Sequence, residues 1–250
     1  MRESVVGRQR GRRRRGAGPM KALVLAGGLG TRLRARFGDL PKPLVPVGGR
    51  PFVERQIAWL EGHRIRDIVL CVGHGAERVR EALGDGATLG VTLSYSAEPE
   101  PLGTAGALRL ASSFVDGPTL VVNGDTLADC DPWALERARW ERGAVGALAL
   151  FEVADATAQG RVECDAQGLV LRFVEKDPAH RGPAWASGGV YAFAKALWSW
   201  LPGESPASLE RDVLPRLAAA GRLCGQRLGG TFYDIGTPES WERAERRFPT

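Results

Sequence analysis

Apolar positions along this 250-residue chain gather into short blocks of two kinds. Leu23-Val24-Leu25-Ala26 is apolar throughout, ends in glycine and is too short for a helix, so it predicts a buried strand. Residues 67–73 form a second such block. Residues 90–96 alternate like a half-buried strand, and residues 119–126, 144–151 and 186–193 continue the series. The stretches between them space their apolar residues three and four apart. They predict helices over 51–60, with Pro51 suited to a first turn, over 76–83, from about Thr104 onward, and over 132–142. Alternation of this kind implies an α/β fold with a mainly parallel sheet flanked by helices. Ligands of such sheets gather beyond the carboxyl ends of the strands.

The rhythm changes after residue 151. Residues 160–164 and 168–176 predict a hairpin, residues 195–200 and 208–220 two further helices, and Thr237-Pro238 opens a last helix running to Arg247. One domain over 20–250 is expected, with a first part of about 20–150 and a second of about 151–250. Residues 1–19 stand apart: seven arginines against the single acid Glu3, and little to bury, predict a disordered basic leader. Met20 is a natural start for the folded part, which makes the leader a dispensable extension or a misplaced start. The alternative is a tail for an anionic surface.

With 44% hydrophobic and 25% charged residues, the chain has ample material for a core. Its net charge of +5 hints at nucleic acid, but the leader accounts for all of that excess and leaves the rest nearly neutral. No nucleic-acid face is therefore expected. Four scattered cysteines without a C-x-x-C pair, and three histidines without ligand spacing, argue against structural zinc and for idle thiols in a reducing cytoplasm. No apolar run reaches membrane-spanning length, and the block after the arginines is too short for an export signal. A homo-oligomer is left open.

Candidate chemistry begins at the first strand. Gly27, Gly28 and Gly30 let the backbone bend and approach a ligand closely, and successive free N–H groups in such a turn make a concavity for anions. Arg32 and Lys42 add full positive charge just beyond. The P-loop and dinucleotide-binding templates both fail on spacing, so the stretch reads as a polyphosphate site of another kind. Glu98 in Glu98-Pro99-Glu100-Pro101-Leu102-Gly103-Thr104 carries a carboxylate able to accept from the adjacent N1–H and N2–H of guanine, whereas uracil and thymine match an amide better. The competing reading is a solvated loop acid. Asp125 follows a strand at the sheet's carboxyl edge, where it is a candidate ligand for a hard divalent cation or a simple turn residue.

Gly27-Gly28-Leu29-Gly30-Thr31-Arg32-Leu33 with Leu40-Pro41-Lys42-Pro43-Leu44, followed in order by the Glu98 segment, Asn123-Gly124-Asp125-Thr126 and Asp234-Ile235-Gly236-Thr237-Pro238, resembles the sugar-1-phosphate nucleotidyltransferases. The resemblance runs from about Met20 to the C-terminus. It implies a Rossmann-like fold of the nucleotide-diphospho-sugar transferase type, here without the β-helix tail of longer members. It implies catalytic roles for Arg32 and Lys42, and nucleotide binding by Leu25, Ala26, Gly27, Gly28, Gly30, Thr31, Glu98, Gly103 and Thr104. Sugar-phosphate binding falls to Gly160, Glu175, Lys176, Ser187 and Gly189, with Glu210 as a further sugar contact, and Mg2+ binding to Asp125 and Asp234. From their residue types alone, Glu175-Lys176 would read as an ion-rich turn. Relatives often carry Asn where Ser187 stands, which points to a bridging water or a bulkier sugar. The guanylyl-type loop implies GTP as substrate with a heptose 1-phosphate as acceptor. Mannose 1-phosphate comes next, then uridylyl or thymidylyl transfer, and a non-catalytic nucleotide sensor is the alternative of another class.

Overall fold

The computed structural model describes residues 20–157, 159–175, 182–204 and 206–248. The basic leader and Lys176 lie outside them. Four parallel strands form the centre: β1 (Lys21–Leu25), β4 (Asp67–Val72), β5 (Thr92–Ala97) and β6 (Thr119–Asn123), in the order β6-β1-β4-β5. Their alternation splits their side chains between two cores. Ala22 and Val24 of β1, Ile68 and Leu70 of β4 and Leu120 of β6 face one way. They pack under α2 (Phe52–Gly62) and α3 (Ala76–Leu83), through Ile57, Leu60, Val79 and Leu83. Leu23, Val69 and Val121 face the other way, against Ala105 and Leu108 of α4 (Gly103–Leu110). Strands buried on both faces must be apolar throughout, which is why these runs were legible.

The second half joins the same sheet in the opposite sense. The ten-residue β11 (Ala184–Phe193) pairs antiparallel with β6. Along its other edge it pairs with β8 (Gly146–Val153), and near its start it meets β9 (Arg161–Cys164), itself paired with β10 (Val170–Val174). β12 (Leu223–Arg227) lies parallel to β8 and completes nine strands. The sheet is mixed, parallel around β1 and largely antiparallel around β11. A bulge between Ser187 and Tyr191 interrupts the β11–β8 register, and Gly189 there has φ +68°, a left-handed conformation that a side chain resists. α5 (Pro132–Glu141) covers β8, β11 and β12, its first turn capped by Asp131.

Several expectations change. Residues 119–126 do not make one strand: β6 ends at Asn123, the chain turns, and β7 (Thr126–Ala128) pairs with β13 (Phe232–Asp234) in a separate small sheet. Residues 195–200 form a 3-10 turn, Lys195–Ser199, rather than an α-helix. In 208–220, Ser208 caps a π turn, Leu209–Val213, before the α-helical α6 (Leu214–Ala219), with Pro215 in its first turn. Near the N-terminal loop, a 3-10 turn at Thr31–Leu33 leads into the short α1 (Arg34–Phe37). The two-residue strands β2 (Pro46–Val47) and β3 (Arg50–Pro51) pair antiparallel. A third core forms here under α7 (Pro238–Arg247), which begins with a Thr237/Ser240 capping box and buries Trp241 and Ala244. Among the described residues, no helix is long and apolar enough to cross a membrane.

Candidate active site

The loop after β1 is pinned on both sides. The Ala26 amide donates to Cys71 O on β4 (2.8 Å), and the Gly124 amide after β6 donates to Leu25 O (3.0 Å). Beyond these anchors the amides of Gly27 to Gly30 meet no acceptor among the described residues. Unpaired N–H groups in a row are what an anion cradle offers. A Cβ on Gly30 would lie 3.2 Å from the Lys42 Cβ, and with φ +59° a side chain there would be strained as well as tight against Lys42. Lys42 opens a 3-10 turn, Lys42–Leu44, behind Pro41, and its ammonium donates to Asp125 Oδ2 at 2.7 Å. Burial opposes ionisation of Asp125, but the Lys42 charge and the bonds from Lys42 and Thr126 outweigh it and hold this carboxyl below its ordinary pKa.

Two cavities meet at this pair. The first, about 340 Å3, has Leu25, Ala26, Gly27 and Gly28 on one side and Glu98, Gly103 and Thr104 on the other. The second, about 470 Å3, is rimmed by Gly30, Thr31 and Arg32 and lined by Gly160, Glu175, Ser187, Gly189, Glu210 and Asp234. Lys42, Asn123 and Asp125 border both. Gly30 and Thr31, expected among the nucleotide-binding residues, and Arg32, expected to be catalytic, thus border the second cavity. Arg32 makes no ion pair or hydrogen bond with any described residue, which leaves its guanidinium for a ligand.

Glu98 rests against Gly27 and Gly73. A Cβ on Gly27 would collide with its Oε1, and one on Gly73 would come within 2.8 Å of it. Its other oxygen accepts from the Leu102 amide at 3.1 Å. Burial raises the Glu98 pKa, and the Leu102 bond only partly offsets it. This is a fixed carboxylate at a cavity wall, not a loosely solvated one. Gly103 and Thr104 border the same cavity but are bound to protein. Gly103 has φ +72° and lies too close to the Ala207 backbone to admit a Cβ. The Thr104 hydroxyl accepts from the Leu209 amide (2.7 Å) and donates to Glu210 (2.7 Å). The close approach expected of Gly103 is therefore to the 207–210 segment.

Asp234 reaches the site through β13. Its Oδ1 accepts from the Gly236 amide (3.0 Å), and the Ile235 amide donates to Asp125 O (2.9 Å). A Cβ on Gly236 would lie 3.2 Å from Asp234 Oδ1 and 3.9 Å from Asp125 Oδ2, so both carboxylates border one small gap. Among the described residues no group of three or more His, Cys, Asp or Glu side chains could hold a metal. Two carboxylates on one gap nonetheless fit Mg2+, which keeps several waters and takes phosphate oxygens as further ligands.

The floor of the second cavity holds residues with no motif of their own. The Tyr191 hydroxyl, buried at the end of the β11 bulge, accepts from Ser187 Oγ at 3.3 Å. Burial and the nearby Glu210 and Glu175 charges push its pKa well up, so it stays a neutral phenol. A Cβ on Gly160 would meet Glu175 Oε2 at 3.2 Å, which places Glu175 on the cavity wall. Arg243 of α7 also lines this cavity and was not singled out from the sequence. From the sequence Tyr191 was only one position of the strand over 186–193; its ring packs in the second core. The thiols of Cys71 and Cys130, both pushed up to about 12 by burial, and of Cys224, pushed up to about 11, stay protonated and inert.

A sequence profile of the family described as Nucleotidyl transferase matches residues 21–249, and the chain belongs to that family. It is 34% identical over 225 residues to D-glycero-alpha-D-manno-heptose 1-phosphate guanylyltransferase of Campylobacter jejuni, covering 89% of this chain and 97% of that one. It is 33% identical to mannose-1-phosphate guanylyltransferase catalytic subunit beta of Drosophila pseudoobscura, covering 88% of this chain and 60% of that longer protein. Among solved structures, HddC from Yersinia pseudotuberculosis, complexed with GMP-PN, superposes with a TM-score of 0.80 at 29% identity, over 92% of this chain and 99% of the other. A putative glucose-1-phosphate thymidylyltransferase from Bacillus anthracis gives 0.82 at 26% identity, over 91% and 94%. The family assignment and the expected fold are both borne out.

Proposed function

We propose that this enzyme transfers the guanylyl group of GTP to a heptose 1-phosphate, forming a GDP-heptose and pyrophosphate. The reading rests on one observation above all: a glycine-lined cavity and an acid-lined cavity share a wall made of Lys42, Asn123 and Asp125. A nucleotide in the first and a sugar phosphate in the second would bring their phosphates together at Lys42. The heptose relative and the GMP-PN complex of HddC support the choice of substrates. Glu175, Glu210, Ser187 and the Tyr191 hydroxyl offer a polyol several hydrogen-bond partners. Ser187, where relatives often carry Asn, puts a shorter side chain on the wall of the second cavity, which suits a larger sugar.

An oxygen of the sugar phosphate, already ionised near neutral pH, attacks the α-phosphorus of GTP. The new P–O bond forms as the bond from the α-phosphorus to the bridging oxygen breaks, and pyrophosphate leaves with that electron pair. No general base is required. The free amides of the glycine loop cradle the triphosphate, Lys42 neutralises the α-phosphate, and Arg32 steadies the departing phosphates. Mg2+ held between Asp125 and Asp234, when bound, would neutralise and align the two reacting phosphates. Glu98 accepts from guanine N1–H and N2–H.

A pyrophosphate-release assay crossing GTP, UTP, dTTP, ATP and CTP with heptose, mannose and glucose 1-phosphates, with and without EDTA, tests this reading. The highest kcat/KM belongs to GTP with heptose 1-phosphate, and chelation abolishes turnover. A better rate with UTP or dTTP, or with another sugar phosphate, or turnover that survives EDTA, refutes the corresponding part.

A further inference from the structure

We infer that Gln56 is a positioning residue: it fixes the turn from Asn123 to Thr126 and so sets the Asp125 carboxylate and the Asn123 amide where the two cavities join. The inference rests on the transfer reading only for its catalytic consequence.

Gln56 lies in α2 among Phe52, Val53, Ile57 and Leu60, all fully buried, and is itself 0% exposed. It lines neither cavity, so it touches no ligand. A carboxamide in that position costs free energy unless it is hydrogen-bonded, and a methionine or leucine would fill the space more cheaply. Its Nε2 donates to Asn123 O at 2.9 Å and to Thr126 O at 2.6 Å. These are the carbonyls at the two ends of the turn between β6 and β7. One amide nitrogen thus holds both ends together from below, while its Oε1 has no partner among the described residues.

The turn has little other freedom. Gly124 donates to Leu25 O and is too close to the Leu25–Ala26 backbone to admit a side chain. Asp125 O accepts from Ile235. With Gln56, three of the four turn carbonyls have a donor, and for two of them that donor is the Gln56 amide. Removing the amide takes from both carbonyls the donor it supplies, and the turn must shift to regain one from water or another group. The Asp125–Lys42 pair moves with it, and so does the Asn123 side chain on the shared wall.

Gln56→Met keeps the side-chain volume and deletes the donor. Ile57→Val, a core substitution on the same helix that does not touch the turn, is the control for lost stability. In pyrophosphate release, Gln56→Met should lower kcat about 10- to 100-fold, the scale of a displacement of order 1 Å at the reacting groups. Its KM values for both substrates should stay within about threefold, because only the shared wall at Asn123 and Asp125 moves and the other residues that line the two cavities stay in place, whereas Ile57→Val should keep kcat within about twofold. Gln56→Glu gives a pH profile: its carboxyl donates one bond only when protonated, so its rate relative to wild type should rise as pH falls. Wild-type turnover in the same assay tests the transfer reading separately. Hydrogen exchange over residues 123–126, read by mass spectrometry on the unliganded proteins, tests the positioning without any turnover. Exchange should quicken in Gln56→Met and not in Ile57→Val. Equal kcat losses in the two variants, or unchanged exchange in Gln56→Met, would overturn the inference. If Gln56→Met does not fold, a flat relative pH profile for Gln56→Glu overturns it too.

Discussion

Replacing Lys42 with alanine separates a catalytic effect from a structural one, because Lys42 is paired with Asp125 at 2.7 Å. At that distance and an effective dielectric near 20, the Coulomb attraction is about 6 kcal/mol. Much of it is offset by desolvation, since only 15% of the Lys42 side chain is exposed, and by solvent screening at Asp125, which is 36% exposed. The net loss of stability is therefore on the order of 1–2 kcal/mol, or about 2–8 °C in Tm for a chain of this size. A typical domain has 5–15 kcal/mol in hand, so the variant stays folded at about 25 °C. On the proposed transfer reading, the transition state by contrast loses a cation aimed at the α-phosphate. By analogy with an oxyanion-hole donor, that costs about 3–4 kcal/mol, or roughly 100- to 1000-fold in kcat.

The pH dependence of stability carries an independent check. Lys42 and the bonds to Asp125 depress the pKa of that carboxyl in the folded state. A depressed carboxyl contributes stability above its unfolded-state pKa of about 3.9, and the contribution is lost as pH falls through the folded value. Without Lys42 the contribution disappears, and the burial that remains opposes ionisation. The Tm gap between wild type and Lys42→Ala should then be widest near neutral pH and close below about pH 4. Steady-state pyrophosphate release at saturating substrates gives the first number, and thermal melts across acid to neutral pH give the second. Turnover within about fivefold of wild type would remove Lys42 from the chemistry. A Tm gap independent of pH would remove the Asp125 pairing from the account.

Three further outcomes follow from the geometry. Because burial raises the Glu98 pKa, GTP binding through its ionised form should weaken, as pH falls, at a pH above the ordinary glutamate value of about 4.3. Glu98→Gln should abolish that dependence and shift preference toward UTP or dTTP, as measured by kcat/KM for each nucleotide against pH. Asp234→Asn keeps the Gly236 amide contact but removes charge, so magnesium titrations of activity should show half-activation at least about tenfold higher. Away from the site, Arg139 forks onto Glu136 at 2.6 and 2.7 Å in a buried position of α5. Glu136→Ala strands that charge and should cost about 3–5 kcal/mol by urea melts, with turnover at low temperature unchanged.

The elements legible in the sequence were those whose burial is decided locally. β1, β4 and β6 are covered on both faces, so nearly every residue is apolar, and α3 was bounded correctly because Gly75 and Gly84 punctuate it. Where local pattern and tertiary context part, the expectation failed. Residues 119–126 are apolar far enough to pass for one strand, yet Gly124 must sit against the Leu25 backbone and turns the chain there. Residues 208–220 have helical spacing, but the π turn that begins them is shaped by long-range bonds from Thr104 to Leu209 and Glu210. No pattern over a dozen residues encodes a bond across more than a hundred.

The same distinction runs through the site. The glycine loop and Lys42 stand close in sequence, and glycine, proline and lysine declare their conformational and electrostatic roles by type. Asp125 and Asp234 are more than a hundred residues apart and meet because β7 and β13, each three residues long, pair in register. Three residues are too few to show a period of two, so only the family resemblance joined these carboxylates. Gln56 gave less signal still. A single polar residue on an apolar helix face has no motif, and its meaning lies in two carbonyls about seventy positions away. Those carbonyls belong to the turn that carries Asp125, opposite Lys42. The proposed chemistry needs no proton taken from the nucleophile, so placement and charge would have to supply the rate. Residues that only place others therefore weigh as much as those that touch the phosphates, and a reading from residue types alone finds the second group and passes over the first.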